Sequence, residues 1–190
     1  MKNNPEYAEV KGKRYKINTD FRVILRCNSI AKDESIGDYE RALAIIYLLY
    51  GDEGLKDKEN FKELLEVGFK FISMGKEVDN DDDEVDMDFE QDFSLIKASF
   101  MSDYGIDLNN TNIHWWDFYN YLNGLTDKCI LNRVREIRTY DLSEVSDEKD
   151  KKKLMKAKKT YALKEKENKP SKKQQESVDK FYKLTGIKRR

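Results

Sequence analysis

The 190-residue sequence predicts a mainly α fold: a compact helical bundle of about six helices, with a short N-terminal β-hairpin and a long charged C-terminal helix or tail. Three observations predict it. Six segments between residues 19 and 140 place apolar residues three and four apart, the spacing of one helix face. Glycines at positions 51, 75, 105 and 124 follow four of those segments, where a residue tolerant of left-handed backbone ends a helix. Near the N-terminus, weakly alternating residues flank Lys11-Gly12-Lys13, which suits a tight turn.

The elements follow in order. Residues 7–17 are expected to form the hairpin, after which Asn18 and Thr19 offer cap oxygens to a helix carrying Phe21, Ile24, Leu25 and Asn28. From Asp38 to Tyr50 the sequence is apolar nearly all round beyond Arg41, the pattern of a helix buried at the centre of a bundle, and Gly51 should end it. Phe61, Leu64, Leu65, Phe69 and Ile72 form the stripe of a third helix, stopped at Gly75. Phe89, Phe93, Ile96, Phe100 and Tyr104 give a fourth, closed by Gly105. Trp115, Phe118, Tyr119 and Leu122 define a short aromatic fifth helix ending near Gly124. Thr126 or Asp127 should cap a sixth, with Ile130, Leu131, Val134 and Ile137 inward and Arg133, Arg135 and Arg138 elsewhere.

The expected organisation is a helical domain over 1–140, interrupted by an acidic loop at 76–88, and a lysine-rich extension over 141–190. Between Glu77 and Asp92 there are ten acidic residues and no basic one, too self-repelling to pack before Phe89. Residues 147–190 carry 17 basic and 7 acidic residues. There Asp147, Glu148 and Asp150 precede Lys151, Lys152 and Lys153 in the order the helix dipole favours, and Pro170 should break the helix.

Composition narrows function. The 36 basic and 37 acidic residues nearly cancel, so partners must be read from where charge clusters. Cys27 and Cys129 are far apart with no Cys-x-x-Cys spacing, against a disulfide framework or structural zinc and in keeping with a reducing cytoplasm. The longest apolar run, Ala42 to Tyr50, is too short to span a bilayer, and the N-terminus has no apolar signal core. The expectation is a protein neither exported nor membrane-spanning.

Each candidate chemistry has a plainer account. His114 has no serine or cysteine nucleophile in a familiar motif beside it, and reads as a helix-start residue next to two tryptophans. Asp79, Asp81, Asp83 and Glu90 match four ligand positions of a calcium-binding EF-hand loop, but Glu84 stands where glycine must turn the chain. Neither catalytic residues nor a metal or cofactor site are assigned. The lysine-rich C-terminus could bind nucleic acid, but its acids dilute the charge and no nucleic-acid-binding signature accompanies it, so that partner is disfavoured. Trp115 and Trp116 point about 100° apart on a helix, so both cannot face one core stripe. Aromatic residues often anchor interfaces, and Phe93, Phe100, Tyr104, Trp115, Trp116, Phe118 and Tyr119 are the candidate partner-binding residues; a small aromatic core is the alternative.

A resemblance adds to this reading. Glu90-Gln91-Asp92, Ala98-Ser99-Phe100, Tyr104-Gly105-Ile106-Asp107-Leu108, His114-Trp115-Trp116 with Phe118 and Leu122, Ile137-Arg138 and the early Thr19-Asp20-Phe21-Arg22 resemble one bacteriophage family. It is the gene-product-fifteen family of siphophages and prophages of Gram-positive bacteria, and the likeness covers roughly residues 10–140. The resemblance implies a tail assembly chaperone in the host cytoplasm, partnered by the tape-measure and tail-tube proteins and capable of self-association. It carries no catalytic residue. A naked, apolar-rich tape-measure helix would aggregate, and a small helical protein could shield it with hydrophobic grooves.

Overall fold

The computed structural model describes residues 4–75 and 86–164. The acidic residues 76–85, with Asp79, Asp81 and Asp83, and the tail from residue 165 onward, with Pro170, lie outside the described residues. Seven α-helices and one two-stranded antiparallel sheet form among those described, so the chain is mainly helical with an N-terminal hairpin. None of the described helices is long and apolar enough to cross a membrane. The chain divides into two units.

One unit comprises residues 5–18 and 23–69. Its hairpin pairs β1 (Tyr7–Val10) with β2 (Lys13–Lys16), Ala8 opposite Tyr15. Lys11 at φ 49° and Gly12 at φ 80° make the two-residue turn whose twist matches the strands. The period of two then buries Ala8, Val10 and Tyr15 on one face and leaves Tyr7 on the other, under the Arg14 guanidinium. Helix α1 (Phe21–Ala31) contributes buried Ile24 and Cys27, and burial pushes the Cys27 thiol up to about 12. The α1 cap is Asp20, whose Oδ1 accepts from the Arg22 amide, rather than Asn18 or Thr19.

Helix α2 (Asp38–Lys56) does not stop at Gly51. That glycine takes φ 64°, ψ −154° and interrupts the helix, which resumes to Lys56. Leu43, Ile45, Ile46, Leu49 and Tyr50 are buried, while Tyr39 and Tyr47 are exposed, so α2 is one-sided rather than buried all round. In α3 (Phe61–Ile72) Leu64 and Gly68 are buried and Phe69 is exposed, while Phe71, two residues on, belongs to the other unit and packs on Trp116. The predicted stripe is thus rotated, for a steric reason at Gly68. A Cβ there would lie 2.7 Å from Leu49 Cδ1, so α3 approaches α2 through its glycine. The Tyr50 hydroxyl reaches the Leu64 carbonyl at 3.0 Å across this contact. Tyr15 donates to Asp57, just past α2, and with Asn60 holds that carboxyl below its usual range.

The second unit comprises residues 19–22 and 70–164, with Asn4. It holds α4 (Phe93–Tyr104), α5 (Trp115–Asn123), α6 (Ile130–Thr139) and α7 (Glu148–Tyr161). Helix α4 starts at Phe93 and not at Phe89, because Asp88 and Asp92 turn the chain first. Asp88 Oδ1 accepts from the Glu90 and Gln91 amides, and Asp92 Oδ2 accepts from the Asp88 amide. Gly105, at φ 68°, closes α4 as the left-handed C-cap. His114 Nδ1 accepts from the Trp116 amide at 3.1 Å, so this residue is the α5 N-cap. Helix α6 is capped by Cys129, whose Sγ accepts from the Asn132 amide. Thr126 is engaged otherwise: its amide and hydroxyl both donate to Asp103.

A candidate partner-binding surface around α4 and α5

The second unit is organised by a stack of aromatic rings. Phe118 lies 4.5 Å from Phe21 at an interplanar angle of 9°, and 5.2 Å from Phe100 at 17°. Trp115 stacks on Phe118 from one turn earlier at 5.8 Å. The i, i+3, i+7 positions Trp115, Phe118 and Leu122 place the apolar side of α5 in this stack, and all three are buried. Three of the seven candidate residues, Phe100, Trp115 and Phe118, therefore form core in this conformation and present no surface to a partner.

The remaining four lie on different flanks. Trp116 and Tyr119 are half-buried on one side of α5. The Trp116 indole donates to the Phe71 carbonyl at 3.0 Å, the Trp115 indole donates to the Ile72 carbonyl at 2.8 Å, and so both finish carbonyls at the end of α3. Tyr119 tilts against Trp115 at 5.7 Å. Phe93 is half-buried at the start of α4 beneath the Lys97 ammonium. Tyr104 joins the stack at its Phe100 end. It lies 5.2 Å from the Tyr121 ring and donates to the Tyr121 carbonyl at 2.9 Å. Desolvation pushes its phenol above the usual range.

That end extends to two residues outside the seven candidates, Met101 and Tyr121, which are 50% and 41% exposed. Met101 stands one turn before Tyr104 on α4, and Tyr121 packs edge-on against Phe100 at 6.4 Å. A thioether and two phenol rings make an adaptable apolar rim backed by a rigid core. Beside it, hydrogen bonds from the Thr126 amide and then Ser102 hold the Asp103 carboxyl below its usual range, so the rim is bordered by negative charge. No signal for Met101 lay in the periodicity, since it falls one residue off the stripe. Among the described residues no group of His, Cys, Asp or Glu is arranged to hold a metal ion.

The short motifs quoted above meet in this unit. Trp115 N donates to Thr19 O at 2.7 Å, and Phe21 N donates to Ile113 O at 3.2 Å. The Arg22 guanidinium donates to the carbonyls of Leu108 at 2.9 Å and Thr111 at 2.8 Å, pinning the polar turn after α4. Asp92 takes both Nη groups of Arg138 at 2.7 Å. The pattern of the bacteriophage Gp15 protein family matches residues 3–163. The chain belongs to the bacteriophage Gp15 family. No curated protein and no solved structure matches it. In this Gp15 chain the matching motifs mostly build scaffold: stacked rings, caps and a buried ion pair.

Proposed function

We propose that this phage protein is a tail assembly chaperone of a siphophage or prophage of a Gram-positive host, acting without catalysis in the host cytoplasm. It binds the tape-measure protein, keeps it soluble, and yields it to tail-tube subunits. The observation that carries this reading is the family match along residues 3–163. The rim of Met101, Tyr104 and Tyr121 supports it as a place where an amphipathic helix can lay its apolar side. Trp116, Tyr119 and Phe93 are flanking contacts in this reading, and a copy of the chain can occupy the same face when copies coat one long helix.

Co-expression tests it. The tape-measure protein should become soluble and co-purify with the wild-type chain, and Met101→Glu with Tyr121→Glu should remove that effect while leaving the chain folded. A tape-measure protein equally insoluble with and without wild-type chain would sink the reading.

A further inference from the structure

Arg138, in the last turn of α6, bonds in three directions. Its two Nη groups hold the Asp92 carboxylate at 2.7 Å each, and Nη1 also reaches the Asp86 carbonyl at 2.7 Å. Its Nε donates to the Tyr161 carbonyl, at the C-terminal end of α7, at 2.7 Å. Lys158 returns a bond from its ammonium to the Arg138 carbonyl at 2.6 Å. Just beyond α7, Gln91 closes a two-way pair with Lys164: its Oε1 accepts from the Lys164 amide at 2.8 Å and its Nε2 donates to the Lys164 carbonyl at 3.0 Å.

These ties gather at one end of α7, and burial adds little to them. The helix has no buried residue. Its inward line, Lys151, Leu154, Ala157 and Lys158, is only half-covered, while Lys149, Lys152, Lys153, Lys156 and Lys159 are exposed. At its other end, residues 140–147 hold a single 3-10 turn, Leu142–Glu144, with Asp141 capping that turn.

We propose that α7 is a releasable strap, hinged over residues 140–147 and latched at its C-terminal end by Arg138 and Gln91. The guanidinium separates two duties. Its Nη groups satisfy the buried Asp92 whether or not the strap is docked, so opening frees only Nε, which water can serve. Gln91 is exposed and Lys158 only half-covered, so on opening each exchanges its partner for water at small cost. Opening turns a lysine-faced helix into a tethered basic arm on about 25 Å of extended chain. It also uncovers the end of α6 around Arg138, without disturbing the ring stack between α4 and α5. A helix of this length is marginal by itself in water, so release should show in its backbone amides.

Hydrogen exchange on the full chain tests this. Amides of residues 151–161 should exchange at least about tenfold faster than those of α4 and α6, through opening independent of the rest. Gln91→Ala, at an exposed position, and Lys158→Met, at a half-covered one, should each speed α7 exchange about fivefold and leave α4–α6 unmoved. Protection of α7 equal to that of α4 and α6 would overturn the proposal. So would α7 exchange that neither variant alters, or variants that speed α4–α6 and α7 together.

Discussion

Helices α5 and α7 belong to the same unit and each starts on a side-chain cap, yet they are held in opposite ways. The nine residues of α5 include buried Trp115, Phe118 and Leu122, whereas the fourteen of α7 include no buried residue. Isolated, neither length would be stable in water. Packing makes α5 a fixed part of the core, and a few polar ties at one end keep α7 in place. Helix length and local propensity therefore say little about which helix resists unfolding; the apolar area each one covers says more.

The largest expected effect separates the two at once. Phe118→Ala removes a fully buried ring from between Phe21, Phe100 and Trp115, and should cost about 3–5 kcal/mol in denaturant unfolding. Met155→Ala, at an exposed position on α7, should leave the midpoint unchanged within about 0.5 kcal/mol. Comparable costs for the two would erase the contrast.

Next comes the ion pair from which the strap hangs. Side chains of Arg138 and Asp92 are 11% and 3% exposed, so Arg138→Met leaves a buried carboxylate without its counter-charge, still accepting from the Asp88 amide. We expect a loss of about 3 kcal/mol. Adding Asp92→Asn removes the stranded charge, and the double variant should be more stable than Arg138→Met alone. A double variant as unstable as the sum of the two single changes would mean that the pair acts through packing and not through charge. Smaller again is Trp116→Phe, which gives up one hydrogen bond to the Phe71 carbonyl and should cost about 1 kcal/mol.

Much of the fold was legible because it rests on short-range rules. The Lys11-Gly12 turn, the start of α5 at Trp115 and the stop at Gly105 follow from local backbone preferences. What was not legible depends on partners distant in sequence. Phe69 and Phe71 fit a helical stripe about equally well, and close approach at Gly68 decides that Phe69 is outside. Thr126 is a good cap by type, but Asp103 claims it and Cys129 takes its place. The helical pattern places Arg138 only off the apolar face of α6, since nothing near it announces an aspartate 46 residues earlier. Aromatic content does not separate core from surface: Phe100, Trp115 and Phe118 are buried, and exposed Met101 is a residue that no aromatic count could find.

The smallest expected effect is the sharpest test of how α7 is held. Asp147 caps the helix by accepting from the Asp150 amide at 2.9 Å, and its charge also faces the positive end of the helix dipole. Asp147→Ala should weaken α7 locally by about 1 kcal/mol, visible as faster exchange and lower helicity. If α7 unfolded only together with α4–α6, that loss would pass into global stability and shift the denaturant midpoint. If α7 opens by itself at denaturant concentrations below the global transition, that transition starts from a chain whose strap is already undocked, and the midpoint should stay where it is. A measurable midpoint shift would therefore place α7 in the same cooperative body as α5, and the difference between the two helices would be one of degree.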